Sequence, residues 1–280
     1  MFRFAMIAAV GVLFAASAAS ADTLERIRES GTLKLGYRED APPYSYKSTI
    51  GEPSGYTVEL CRAVAARLIA DGLRDVSVEY VPVTAEDRFD AVKTGRIDLL
   101  CSADTATLSR REIVDFSIPT FVDGAGVLLR ADGPASFAEL SGKKVGVTGG
   151  TTTEEALRNT VEKHSIAVET VVVADHGDGI ARLISGELSA YFADRGILLY
   201  LWARSSAPDQ LRLADQQFSY EPYALALPHG DSAFRLAVDR ALSRIYRSGE
   251  IGRVFSTAFG PKIKPTPELF ALYRVSALPE

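Results

Sequence analysis

Two short stretches carry residue types that can grip an anion. The first, "VGVTGGTTTEEALR" (residues 145–158), runs from a β-type segment through a glycine pair and three threonines into a helical pattern. A helix starting on such a turn leaves backbone N–H groups without intrahelical partners, and its dipole favours negative charge there. Thr151 or Thr152 can also cap that helix, with Glu154 and Glu155 in its first turn, so ordinary capping explains the same residues. The second stretch, "CSADTATLSR" (residues 101–110), follows an apolar run that reads as a buried strand. Thr105 offers a hydroxyl and an N–H, and Arg110 offers a planar fork that matches a carboxylate. Arg110 and Arg111 can equally be a solvated pair beside Glu112 and Asp115. A nucleotide is the weaker occupant: a P-loop needs Lys after its glycines and a dinucleotide fingerprint needs G-x-G-x-x-G, and the turn has neither.

Other chemistries find little support. The three histidines are far apart and no Cys/His cluster has zinc spacing, so a metal site is not expected and no cofactor motif is present. No nucleophile elbow or Ser/His/Asp order is legible. The first 21 residues, with Arg3, an apolar core over residues 4–14 and a terminal Ala19-Ser20-Ala21, read as a secretory signal cleaved after Ala21. The mature chain then holds 30 basic and 36 acidic residues, a net charge of −6, which disfavours nucleic acid and anionic membranes as partners. Cys61 and Cys101 therefore face an oxidising compartment: they either pair, which their strand and helix ends in one lobe permit, or sit apart as buried thiols.

The elements that must position these residues alternate. Residues 32–37 read as a strand, 56–70 as a helix with one apolar face, 76–83 as a strand, 85–94 as a helix closed by Gly95, and 97–101 as a buried strand. A second series follows: strand 145–148, helix 152–163, strand 168–173, helix 177–185 and strand 190–193. The expected fold class is α/β, two Rossmann-like lobes with mostly parallel sheets, joined by a two-strand hinge. The lobes are assigned as residues 22–126 with 227–280, and 127–226, with crossings near 124–130 and 223–228. A helix over 231–248 should pack back on the first lobe. A hinge of this kind makes a cleft, where small ligands bind.

"GYTVELCRAVAARL", "DRFDAVKTGRIDLLC", "TATLSRREIVDFSIPTF", "VGVTGGTTTEEAL" and "YFADRGILLY" occur in this order. Together they resemble the periplasmic amino-acid-binding proteins of bacterial ABC importers (solute-binding protein family 3, a periplasmic binding protein type II-like fold) over nearly all of the mature chain. The resemblance implies that Arg110 grips the ligand α-carboxylate, completed by backbone N–H groups of Thr105 and Thr152 (with Thr151 at the same turn). It implies that Asp194 takes the α-ammonium, with the Ala103 carbonyl beside it. Such a pair of opposite charges is what a zwitterion needs on leaving water.

Within the family, "YREDAPPYSY" and "VADHGDG" most resemble the glutamate/aspartate-binding branch. That likeness places Arg38, Arg88 and His176 around the ligand side chain and implies an acidic or polar amino acid; it places Tyr44 or Tyr46 as an aromatic wall, unless both rings simply pack in the core. The branch favours Gly-Ser-Thr-Thr where this chain has Ser102-Ala103-Asp104-Thr105. Asp104 is then solvated, paired with an arginine, or a selector for a neutral or cationic end. The implied partners are a free amino acid and a membrane permease, with the protein acting as a monomer. The alternative is a prephenate or arogenate dehydratase on the same scaffold, with Glu39 or Asp104 as its acid; a third is a sensor subunit that presents bound ligand to a receptor.

Overall fold

The computed structural model describes residues 22–279. The expected signal segment lies outside the described residues. From the N-terminus come α1 (Thr23–Ser30), β1 (Thr32–Arg38), a small flap of β2 (Asp40–Ala41), β3 (Ser45–Lys47) and β4 (Pro53–Ser54), then α2 (Tyr56–Ala70), β5 (Ser77–Val83), α3 (Arg88–Lys93), β6 (Leu99–Leu100), β7 (Val114–Phe116) and β8 (Phe121–Asp123). The next stretch holds β9 (Ala125–Arg130), β10 (Lys144–Thr148), α4 (Thr152–His164), β11 (Glu169–Val173), α5 (His176–Ser185), β12 (Ala190–Asp194), α6 (Arg195–Arg204) and β13 (Leu211–Leu213). The chain ends with β14 (Glu221–Tyr223), β15 (Ala226–Pro228), α7 (Ser232–Arg247), α8 (Glu250–Phe259) and α9 (Pro267–Ser276).

Two five-stranded sheets result, ordered β5-β1-β6-β15-β7 and β11-β10-β12-β9-β13. In the first, β1 runs parallel to both neighbours; in the second, β10 does. The helices of each βαβ crossover must lie on the sheet faces, so both faces are buried. On one face of the first sheet, Leu33 and Leu35 pack with Leu60 and Val64 of α2 and with Phe234, Leu242 and Phe255 of α7 and α8. On the other, Val83, Val92, Ile97 and Phe116 form a separate core. The second sheet repeats this plan, with Leu157 and Phe192 on one side and Leu183, Tyr191 and Leu198 on the other.

The lobes are linked by a ribbon in which β8 and β14 pair antiparallel, Asp123 opposite Glu221 and Phe121 opposite Tyr223. The crossings expected at 124–130 and 223–228 thus fall a few residues earlier. The apolar segment Ala125–Arg130 is buried as an antiparallel strand beside β12, and Ala226–Pro228 beside β6 and β7. Each return strand enters its sheet from the opposite direction, which makes both sheets mixed rather than wholly parallel. Helix α3 starts three residues later than its pattern suggests, because Thr84 and Asp87 close a side-chain turn ahead of it (Thr84 N–H to Asp87 Oδ1, 2.8 Å; Asp87 N–H to Thr84 Oγ1, 3.1 Å).

Cys61 on α2 and Cys101 beyond β6 are joined as a disulfide, with Cα atoms 6.1 Å apart. This settles their two readings in favour of pairing and staples α2 to the strand end that leads into the site. The bridge spans 40 residues, a loop whose closure removes about 4 kcal/mol of unfolded-state entropy in the chain-entropy model. Urea unfolding of the Cys61→Ser/Cys101→Ser double variant is expected to show a stability loss of about 2–4 kcal/mol, and a loss under about 1 kcal/mol would rule out this role.

Candidate functional site

In open α/β sheets the crevice lies beyond the carboxyl ends of the strands. Arg38 ends β1, Ser102 to Thr105 follow β6, the glycine-threonine turn follows β10, His176 opens α5 after β11, and Asp194 ends β12. The two lobes meet across these ends: the hydroxyls of Thr105 and Thr152 lie 3.1 Å apart, and Arg88 Nη2 donates to the Gly150 carbonyl at 3.3 Å.

Both arginines expected at the ligand side chain already hold carboxylates. Arg38 donates from Nε and Nη2 to the two oxygens of Asp40, at 2.8 and 2.6 Å. Asp40 also accepts the backbone N–H of His176 from the other lobe; burial alone would raise its carboxyl, but Arg38 holds it below the usual carboxylate range. Arg88 donates from Nε to Asp104 Oδ1 at 2.6 Å, and the Ser102 hydroxyl donates to the other oxygen at 2.7 Å. Asp104 is fully buried, so of its three readings the pairing is what the structure shows. Burial pushes the Arg88 guanidinium down to about 10 despite Asp104, and its Nη1 is sealed from water without a partner. Phe89 supports the guanidinium face at 4.4 Å, and that of Arg110 at 4.9 Å.

The glycine-threonine turn is engaged on both sides. Thr151 caps α4: its hydroxyl donates to the Thr148 carbonyl at 2.7 Å and accepts the Glu154 N–H at 3.2 Å. Thr151 is thus committed to the cap, while Thr152 turns toward the first lobe. The hydroxyls of Thr105 and Thr152 both donate to Glu221 Oε2, the latter at 2.6 Å. Each hydroxyl has one proton, so both protons go to Glu221 and the threonine pair makes no further bond between its members. Ser219 donates to the other Glu221 oxygen at 2.6 Å. An open hollow of about 510 Å³ adjoins this point, lined in part by Thr105, Thr152 and Glu221. Arg110 begins a short 3₁₀ turn, donates from Nη1 to the Thr105 carbonyl at 2.9 Å, and makes no salt bridge among the described residues.

At the ribbon, carboxylates crowd together. Asp194 has a buried Oδ1 with no partner; burial, then Glu221 and Asp123, push its carboxyl well above the usual range. Asp123 is lifted to about 6, chiefly by burial, although it accepts the Tyr44 hydroxyl at 2.7 Å and the Gly196 N–H at 3.0 Å. Tyr44 is a core ring, edge-on to Phe121 and Tyr223 at 5.0 and 5.4 Å, and only its hydroxyl reaches this cluster. His176 is enclosed: Nδ1 meets the Tyr191 hydroxyl at 2.6 Å, Nε2 has no partner, and burial pushes its pKa down to about 3, so the ring is neutral. Ala103 lies half-buried between Ser102 and Asp104.

This arrangement of two α/β lobes, a paired ribbon and a charged interlobe crevice coincides with a family match. The model of the bacterial extracellular solute-binding proteins, family 3, covers residues 33–261. The chain belongs to that family. The L-glutamate/L-aspartate-binding protein of Pseudomonas aeruginosa is 32% identical over 246 residues, covering 87% of this chain and 82% of its own. The glutamate/glutamine/aspartate/asparagine-binding protein of Rhodobacter capsulatus is 30% identical over 220 residues, 78% of this chain and 64% of its own. The crystal structure of an ancestral amino acid-binding protein, described as a precursor of cyclohexadienyl dehydratase, matches with a TM-score of 0.73 at 28% identity, covering 85% of this chain and 99% of its own. The fold is therefore of the type II periplasmic-binding-protein kind. This family member is a solute-binding protein, not an enzyme, as its curated relatives are.

The family member's site includes residues that the pattern did not single out: Asp40, Asp123 and Glu221. Asp40 lies two residues from Arg38, on the same side of an extended chain, which is a local signal. Glu221 and Asp123 face each other only because the ribbon pairs. The ribbon also needs Gly196: a Cβ there would stand 2.1 Å from the Tyr44 hydroxyl and 2.9 Å from Asp123 Oδ2. Gly196→Ala is expected to lower stability by about 1–3 kcal/mol in denaturant unfolding, and Gly196→Ala in a Tyr44→Phe background should lose less. Equal losses in the two backgrounds would remove the clash as the cause.

Proposed function

We propose that this chain captures a free α-amino acid between its lobes and delivers it to the membrane permease of an ABC importer. The observation that carries this reading is the pair of opposite charges left over across the crevice: Arg110, without a carboxylate, and Asp194, with an unpartnered oxygen. A zwitterion supplies the two missing partners at once, the α-carboxylate to Arg110 and to the N–H groups of Thr105 and Thr152, the α-ammonium to Asp194 and the Ala103 carbonyl. The names of the relatives, which bind glutamate, aspartate, glutamine and asparagine, support an acidic or polar side chain, with Arg38, Arg88 and His176 around it. Residues 22–120 with 224–279 form one lobe and 124–220 the other, closing about the ribbon of 121–123 and 221–223. Ligand contacts made only in the closed state shift the lobes toward it. The protein works as a single chain in the periplasm after removal of residues 1–21. Among the described residues no helix is long and apolar enough to cross a membrane.

The dehydratase alternative needs a general acid free to meet a reacting ring. Asp104 is held by Arg88 and Ser102, and Glu39 by Lys47 at 3.0 Å and by the Tyr37 hydroxyl at 3.1 Å. Asp104 is committed to its partners, and Glu39 sits in an exposed ion pair.

Isothermal titration of ligand-stripped protein against an amino-acid panel tests the reading: Arg110→Ala and Asp194→Asn should each weaken binding at least a hundredfold, as expected for removing one partner of a buried charge pair. Wild-type affinity in either variant would sink the zwitterion assignment. A second measurement uses the proton on the acidic cluster. Asp123 is lifted to about 6 and Asp194 is raised beside it, so below about pH 6 the cluster takes up a proton that the ammonium must displace. Affinity should therefore rise with pH toward about 6, by at most tenfold per unit, and level off above it. Titrations in buffers of different ionisation enthalpy should show proton release, and none at pH 5 would contradict this coupling.

A further inference from the structure

We propose that the captured amino acid carries an uncharged carboxamide side chain, of the glutamine or asparagine class, and that Asp40 and Asp104 set this preference. The inference rests on the amino-acid reading above and narrows its substrate. Each cation of the side-chain region is neutralised from within: Arg38 by both oxygens of Asp40, and Arg88 by Asp104. The two pairs sum to zero charge. A ligand carboxylate entering here would bring a net charge with no unpaired cation to meet it, while Glu221, Asp123 and Asp194 stand close enough to perturb one another. An anionic side chain is thus disfavoured.

A cationic side chain fails for a different reason. Arg88 Nη1 is buried with no acceptor, and such a donor costs free energy until it finds one. An ammonium or guanidinium offers no lone pair and would face two guanidinium groups. An aliphatic side chain would leave the same donor unsatisfied, along with His176 Nε2.

A carboxamide answers both orphans. Its oxygen accepts from Arg88 Nη1 and its NH2 donates to His176 Nε2. Both groups lie within electrostatic reach of Arg38. The histidine arrangement is self-consistent: a neutral ring with the proton on Nδ1 donates to the Tyr191 hydroxyl, which donates onward to Thr148 Oγ1 at 3.0 Å. That leaves Nε2 as an acceptor.

Titration calorimetry of the ligand-stripped protein at pH 7.5 with glutamine, asparagine, glutamate, aspartate, arginine and alanine decides the matter. Glutamine or asparagine should bind at least tenfold more tightly than the other four. If glutamate, aspartate or arginine binds most tightly, the carboxamide inference is wrong while the amino-acid reading stands. If none of the six binds, the amino-acid reading itself falls. Asp40→Asn and Asp104→Asn each free one guanidinium charge while keeping an oxygen to bond it. Each should move the glutamate-to-glutamine affinity ratio at least tenfold toward glutamate. An unchanged ratio in both would remove these aspartates as the selecting residues. Thermal melts add a readout for a weakly folded variant: glutamate should raise the melting temperature of Asp104→Asn more than glutamine does, and the reverse order counts against the assignment.

Discussion

Charge enclosed between two lobes must be matched, and that constraint organises the crevice of this protein. Desolvation of a guanidinium such as Arg88 is large enough to lower its pKa even beside Asp104. Breaking such a buried pair costs on the order of 3–5 kcal/mol, because the remaining partner stays buried. The chain meets the requirement locally where it can. Asp40 follows Arg38 in the flap, and Asp104 comes from the loop that faces α3. Closure then adds dipoles from the opposite lobe: the His176 N–H to Asp40, and the Gly150 carbonyl to Arg88. What stays unmatched defines what the site lacks.

The ribbon is the second determinant. It does more than connect, because Asp123 and Glu221 sit opposite each other on it and reach into both lobes. Asp123 ties Tyr44 of the first lobe to the start of α6 in the second, and Glu221 ties Thr105 to Thr152. These contacts hold only when the lobes are near, so the closed arrangement is supported by groups of the protein itself. The apolar stack of Tyr44, Phe121, Tyr223 and Phe259 surrounds them and lowers the local dielectric. Low dielectric in turn raises Asp123 and Asp194.

Local rules carried much of the fold. The helix of residues 56–70 is legible in full from its apolar spacing, and that expected over 231–248 matches α7 to within one residue at each end. Helix α6 is not legible in this way, since a segment such as "GILLYL" is apolar without a single face. Helix α3 is shorter than its periodicity suggests, because two side chains ahead of it close a turn that no periodicity records.

For the site, the residue types were in the sequence but their pairings were not all there. Thr105, Thr152 and Asp194 lie at or just beyond strand ends, where topology alone predicts a crevice, and Arg110 lies in the loop that follows β6. The partner of Arg38 is two residues away and needs only an extended backbone. The partner of Arg88 is 16 residues away, and the threonines that meet Glu221 are 116 and 69 residues from it. Sequence by itself therefore determined the two α/β lobes, because periodicity and strand ends are local properties, and the family, through the resemblance of its ordered motifs. Only the tertiary structure decided which charges cancel and which remain for a ligand, because electrostatic pairing depends on distance in space.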